Sequence, residues 1–433
     1  GDERADDPMP AADGTCVFRS DAENLLASDT NGYYDVFVAL PDGRDAFLSS
    51  IQDRNGNVLK FEYDGDPATN GPVRVHDDNG RELHLHYGTF ASNGVLWRVT
   101  DQTGRAWTFD YADAPLDNTN GVVLRSLTDP LGHAEQYFYA QEQCIAAVRK
   151  PRGNTPYAQT YEPTNALYGI VTRQQDAFGN DTMVRRVDYE AYSTPTSRFE
   201  VTHADGATQS FTHAHNGRVA SGLTDEAGNT AEFFADPVRD RVTGARDRTG
   251  GVTGFGYHEP SGHLAALTNA LGQAMRIAYE PVVQLFADPS DPSNTVSFTF
   301  YDRTRIDYPD GTAEIFRRDN RGNVTSRTDQ AGAVWTCTYD DRGRLLTTVN
   351  PNQGVTTLSY NPDGTLATRT DSDTGLTTYG YDALKRMTSA THAAGMWSAT
   401  YDARDRVVSR TDERGNTTRY AYDANGALTN RVD

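Results

Sequence analysis

Two histidine pairs, His84-x-His86 and His213-x-His215, are the first residues whose type and spacing could do chemistry. Residues two apart in a strand share a face, so each pair would present two imidazoles side by side. A zinc site needs further ligands, and the sequence supplies no third one to either pair. Asp29, Asn31 and Asp35 could together offer oxygen ligands to Ca²⁺. A hydrogen-bonded turn at Asn31-Gly32 is the simpler account of the same residues. Neighbouring carboxylates such as Asp77-Asp78 and Asp340-Asp341 fall in turns, and 60 acidic residues make adjacency unremarkable. A glycosidase requires two carboxyl groups facing across a cleft, and no such pair stands out. G-x-S-x-G, P-loop, H-E-x-x-H and G-x-G-x-x-G patterns are all missing. No catalytic residue, cofactor or firm metal site is therefore expected, and any activity should belong to a domain outside this chain.

Composition narrows the classes. A net charge of −20 repels nucleic acid. Hydrophobic residues make up 37%, below the usual share of about 45–50%. Cys16, Cys144 and Cys337 are too few and too far apart for a disulfide framework, and free buried thiols are expected. No run of 18 apolar residues suggests a membrane span. The first residues hold neither an initiating Met nor a signal-peptide core, and the last fall partway through a repeat. The expectation is a fragment of a longer protein.

What must position any site is a repeat. Tyr339, Tyr360, Tyr381, Tyr401 and Tyr422 recur at intervals of 21, 21, 20 and 21 residues. From Arg318 onward one unit reads Y-D-x-x-G-R-L-x-x-x-T-D-x-x-G-x-x-x-x-x-Y. Each unit carries two turn signals, D-x-x-G and T-D-x-x-G. Asp can hold the turn with its side chain, and Gly accepts the left-handed conformation that closes it. Gly322, Gly343, Gly364 and Gly426 take that place in the first turn type, whereas Lys385 and Asp405 replace it. Those two turns should be of another type, or strained. Alternating runs such as Leu345–Val349 and Val355–Tyr360 read as strands of about 5–7 residues. Turns this regular allow only an antiparallel meander, and a long meander must curl, split or close. The fold class is all-β, a spiral sheet forming a partial or complete cocoon or barrel. Stacking of each repeat tyrosine on the next is the expected ladder.

The pattern persists upstream with looser spacing, as in Leu96–Tyr111, Leu124–Tyr139 and Leu264–Tyr279. Residues 41–280 read as degenerate repeats with inserted loops, and 301–433 as regular units. Residues 281–300 read as an insertion, because the three prolines of Pro281–Thr295 should exclude a central strand. Residues 1–40 differ. Thr15–Val38 resembles one blade of a TolB-type propeller and is expected to be an upstream remnant or a cap on the sheet edge.

The repeated Y-D-x-x-G-R-L and T-D-x-x-G-x-x-x-x-x-Y resemble the YD repeat of the rearrangement-hotspot (Rhs) family, shared by toxin-complex subunits, wall-associated bacterial toxins and teneurins. The likeness runs from about Ala46 to Asp433. It implies a hollow β-cocoon, secreted by or displayed on a bacterium, that encloses a C-terminal toxin. Implied partners are that toxin polypeptide, further shell segments or a second shell subunit, and a secretion spike protein. The family's self-cleavage segment is missing; Asp129-Pro130-Leu131-Gly132 looks superficially similar but occupies an ordinary turn. An adhesion or carbohydrate-binding module, using Trp97, Trp107, Trp335 and Trp397, is the alternative.

Overall fold

The computed structural model describes residues 9–10, 16–20, 35–41, 46–64, 71–90, 93–113, 121–140, 144–161, 171–188, 196–214, 219–236, 239, 241–287 and 295–433. Among them there is no helix, and 36 strands form one sheet. Every strand pairs antiparallel with its neighbour in sequence, from Met9–Pro10 through to Leu428–Val432. The fold is thus a single meander. Its first and last strands do not pair, so the sheet stays open.

Local chemistry explains the uniformity. In the turn after Tyr339, Gly343 donates its N–H to the Asp340 carbonyl at 3.0 Å, and Asp340 N–H bonds Arg344 O at 2.9 Å. The Asp340 carboxylate accepts the N–H groups of Arg342 and Arg344, each at 2.9 Å. Its other oxygen takes the Arg344 guanidinium at 2.7 Å. The second turn type is built alike: Asp329 accepts the N–H groups of Ala331 and Ala333, both at 2.9 Å. Lys385 and Asp405 close the same turn, with φ of 62° and 63°. They keep the turn type and carry left-handed strain, a cost of about 1–3 kcal/mol each.

A β-bulge recurs once per unit, and in the regular repeats from Tyr339 on it falls at the tyrosine. Ser359 pairs with Thr368 but Tyr360 with Leu366, so Ala367 has no partner. The same slip occurs at Tyr339, Tyr381, Tyr401 and Tyr422. Bulges add twist and bend, so a bulge in every unit curls the sheet steadily. The tyrosine also ties units together. Tyr360 Oη donates to Leu345 O at 2.9 Å, across to the bulge of the preceding unit. Tyr63, Tyr111, Tyr139, Tyr279, Tyr339 and Tyr422 make the equivalent bond 15 residues back. Over the faces of Tyr360, Tyr401 and Tyr422 lies arginine: Arg344, Arg386 and Arg406 sit 4.5–4.8 Å from the ring centroids. Each of these arginines comes from the turn that precedes the strand carrying its tyrosine by one hairpin, so it links one unit to the next.

The two faces differ in chemistry. Pairing register puts Trp335, Leu358 and Tyr379 on one face, with Thr338, Thr347 and Ser359 on the other. Cross-strand hydroxyls bond each other there, Thr338 to Thr347 at 2.6 Å and Thr400 to Ser409 at 2.8 Å. Neither face is filled by a second layer. The solvent-accessible surface is 25080 Å², whereas a compact protein of 47.6 kDa exposes about 16,000 Å². The architecture is a wall.

One element departs from the plan. Ala274–Ala287 and Thr295–Asp307 form a long ribbon. Pro281 lies inside it, opposite Tyr301, in a strand that is not central. Beyond Arg276 the ribbon strands pair only with each other until Arg305, and a strand with one partner leaves half its N–H groups outside a ladder. Pro289 and Pro292 lie outside the described residues. The ribbon carries a core cluster of Phe286 and Phe300 with Val296 and Phe298.

Replacing Tyr360 with Phe removes only the bond to Leu345 O. The expected loss is about 1 kcal/mol, confined to the neighbouring units, because stability in an array is summed over nearest neighbours. Amide exchange should quicken at Leu345–Val349 and stay unchanged in distant strands; uniform quickening along the chain contradicts the array.

Candidate functional site: the seam between windings

The two turn types line opposite edges of the sheet. Because the sheet curls, turns of the first type from late in the chain meet turns of the second type from early in the chain. The contacts bridge 230 to 306 residues. Asn323 Nδ2 donates to Asn55 Oδ1 at 2.9 Å, and Asn57 Nδ2 to Arg342 O at 3.1 Å. Arg342 reaches Asn79 Oδ1 at 2.9 Å. Arg105 binds Ala403 O at 3.1 Å and Asp405 Oδ1 at 2.7 Å. Arg404 pairs with Asp129 at 3.0 Å. Arg152 N–H meets Asn425 Oδ1 at 2.9 Å, and its guanidinium meets Asp423 at 2.8 Å. One winding therefore rests on the next along a continuous seam of turns.

The most buried point of the seam is Arg54. Its guanidinium contacts both carboxylate oxygens of Asp302, at 2.7 and 3.2 Å, with the side chains 3% and 7% exposed. Gln284 accepts from Arg54 Nε at 3.1 Å and donates to Arg54 O at 2.8 Å. The Phe300 ring lies 4.5 Å beneath the guanidinium. Asp302, Gln284 and Phe300 all belong to the long ribbon, which straps the late winding to the early one. Nothing in the sequence marked Arg54, since its partners are more than two hundred residues away.

The seam also accounts for the turn residues. A Cβ on Gly322 would overlap Arg54, and one on Gly343 would overlap Asn55. Glycine is required there for space as well as for φ. Where lysine and aspartate replace glycine in turns of the first type, the new side chain works in the seam. Lys385 Nζ bonds Asn79 O and, at 2.7 Å, Asp363 O. Asp405 accepts from Arg105 and, at 2.8 Å, from Arg386. Turn strain at these two sites is offset by charge-assisted bonds.

Beside the seam opens a cavity of about 800 Å³, lined by Asp53, Asp77, Asp101, Trp107 and Arg342 among others. Its acids are already engaged in their own turns, as Asp101 is with Thr103 and Arg105. Burial opposes ionisation of Asp101, but those donors outweigh it and hold the carboxyl below its usual range. Asp340, Asp382 and Asp402 show the same balance of burial against their turn amides and arginines, and are likewise lowered.

The other residues singled out from the sequence do not converge. His84 contacts Glu82 at 3.1 Å, and His86 contacts Thr100 at 3.3 Å. His215, Asp29 and Asn31 lie outside the described residues, and Asp35 is described only as the start of a strand. Among the described residues no three metal-ligating side chains cluster. Trp107, Trp335 and Trp397 are part-buried and face Arg105, Arg327 and Arg410 at 5.5–5.9 Å; Trp97 is more exposed. Asp129–Gly132 forms an ordinary turn.

Against known proteins, the family model of the RHS repeat matches residues 318–356, 360–395 and 401–433. The chain carries Rhs repeats from residue 318 to 433. No curated protein matches it. Among solved structures, this Rhs-repeat chain is similar to a chain of the Photorhabdus luminescens Tc holotoxin pore, at 12% identity and a TM-score of 0.53, covering 92% of this chain and 22% of that one. It also matches a chain of TcdB2-TccC3 without its hypervariable C-terminal region, at 12% identity and a TM-score of 0.31, covering 95% and 21%. The Rhs-repeat chain thus spans less than a quarter of the length of these structures. At such identity the first likeness shows the fold alone.

Two outcomes test the seam. Lys385→Gly relieves turn strain but removes the bonds to Asn79 O and Asp363 O. Hairpin amides of Gly375–Tyr381 should exchange no faster, while those of Asp77–Arg81 should exchange several-fold faster. An unaffected Asp77–Arg81 turn would show that the seam is not held there. Acid is the second probe. The turn carboxyls have folded pKa values below their unfolded ones, so their stabilisation is present above about pH 4 and is lost as pH falls through the folded values. Thermal stability should be level near neutrality and drop between about pH 4 and pH 2; a stability that rises on acidification contradicts this.

Proposed function

We propose that this chain is a non-catalytic wall segment of an Rhs-type shell that encloses a toxin polypeptide and takes part in its delivery from a bacterium, either secreted or held at the cell surface. The observation that carries this reading is the surface excess. A single-layer sheet whose windings lock edge to edge, and which exposes about 9,000 Å² more than a compact protein of its mass, is built to surround a volume. The partners that fit are the enclosed polypeptide, further shell segments or a second shell subunit, and a secretion spike. Among the described residues no helix is long and apolar enough to cross a membrane.

The sheet's chemistry suits such a wall. Its hydroxyl-rich face offers hydrogen bonds between the edges, with Val334, Val355, Leu376 and Met396 confined to one margin, and the aromatic face is paired with arginine. Small-angle X-ray scattering tests the enclosure directly. A compact globule of 433 residues has a radius of gyration of about 22 Å. The shell reading expects a clearly larger value with a depleted centre in the distance distribution. A radius near 22 Å with a filled profile would remove it.

A further inference from the structure

We infer that the edge formed by the second turn type, from Asp176 to Asn416, is a docking surface for another row of Tyr-Asp-x-x-Gly-Arg turns in a further shell winding. This rests on the shell reading and names the surface and chemistry by which a shell segment would attach. The argument is continuity with the existing seam. On the early part of this edge, the residue just before the turn glycine makes the contacts: Asn55 meets Asn323, Asn79 meets Arg342, and Arg152 meets Asp423 and Asn425. On the later part, the same position holds Phe178 and Leu271, which are 90% and 83% exposed.

A second position agrees. Two residues after the turn glycine, Val58 and Glu82 are half-buried on the docked edge and line the cavity against Arg342, Arg344 and Gly364. The corresponding ladder pairs on the later edge place Val334 and Val355 there, and Leu376 and Met396 one pair in from the turn, where the hairpin is a pair longer. These are 43%, 40%, 52% and 52% exposed. One such residue per unit, with strands about 4.8 Å apart, makes an apolar stripe repeating every ~10 Å. An apolar stripe in register with a seam that already exists elsewhere on the same edge fits a partner of the same period.

The partner's chemistry follows from the side already docked. Late turns present arginine or lysine and backbone carbonyls, as at Arg342, Lys385, Arg404 and Ala403 O. The later edge offers acids at Asp205, Glu226 and Asp310 beside its apolar tips. A row of arginine-bearing turns with apolar middle positions complements it. The new seam would be more apolar than the present one, with Phe178 and Leu271 as its anchors.

The test extends the repeat in frame. A second copy of Pro351–Asp433 is joined after Asp433, which stands where Asn350 stands in its own unit. The offset at the last seam contacts is 271 to 273 residues, so the first added turn falls on Asp176–Asn180. Amide exchange of Asp176–Asn180 and Asp225–Asn229 should slow at least tenfold relative to the parent, and Phe178→Asp in the extended chain should restore it. Added strand by circular dichroism without protection of that edge overturns the inference. If the extension adds no strand, a cyclised peptide copying Asp382–Arg386 replaces it as the probe. Protection of Asp176–Asn180 at millimolar peptide supports docking, and no footprint on that edge overturns it. The turn Asp77–Arg81 separates the two readings. If it is protected in the parent while Asp176–Asn180 stays open throughout, only the docking inference fails; if it is unprotected in the parent, the shell reading itself fails.

Discussion

Everything in this protein follows from a turn whose carboxylate is consumed in closing it. Asp340 spends one oxygen on two backbone N–H groups and the other on Arg344. A chain interrupted this way about every ten residues has no room for a crossover, so strands pair only with their neighbours and antiparallel order is forced. The same brevity denies the molecule a core. Strands of five to seven residues bending at a bulge in each unit form a thin curved layer. Among the described residues only nine hydrophobic side chains are well buried, so hydrophobic burial alone does not hold the wall in shape.

Stability comes instead from short-range bonds multiplied along the chain and from the seam. The tyrosine hydroxyls bridge successive units, and arginine covers the rings of several of them. Each such bond contributes modestly, about 0.5–1.5 kcal/mol for a hydrogen bond and about 0.5–1 kcal/mol for an exposed cation–π contact. The seam adds what local bonds do not supply, a reason for one winding to sit at a fixed position on another. Most seam contacts are partly exposed and individually weak. Arg54–Asp302 is the exception. A buried pair is a poor source of net stability but costs about 3–5 kcal/mol to break by removing one partner. Its value lies in selecting one register of ribbon on early winding, since a slipped register would leave a buried charge alone.

The repeat and its consequences were legible because they are local. Tyrosine period, turn glycines and alternation all lie within one unit, so the meander and its curvature could be argued from the residues alone. The seam was not legible, because Arg54, Asn79 and Arg105 look like ordinary turn residues until the sheet curls round to meet them. Yet a trace was present. Lys385 and Asp405 break the glycine rule at positions where a side chain must bear left-handed strain, and such exceptions mark places where the side chain has work to do. Pro281 was legible only in part: it excluded a central strand but did not announce the two-stranded ribbon. Its effect depends on whether the strand has one partner or two, which is a property of the sheet and not of the sequence around it.

The two edges of the sheet are chemically unequal, and that inequality gives the wall a direction. Turns of the first type present arginine or lysine together with backbone carbonyls and need space at glycine; turns of the second type present Asn55, Asn79, Phe178 or Leu271 at the tip, with Arg54, Arg105 and Arg152 reaching across to carboxylates and carbonyls. Like edges would place the arginine of one row against the arginine of the other, whereas unlike edges match cation to carbonyl and carboxylate. Stacking is therefore head to tail and does not terminate itself, the behaviour of a heterologous interface. A wall growing by this rule ends only where an edge meets something other than its complement. The exposed Phe178 and Leu271 differ from the Asn and Arg of the present seam, so successive windings need not be interchangeable even though their hairpins are. Specific tips on a generic repeat are the means by which such a wall would distinguish the winding that belongs at each level from any other that shares its period.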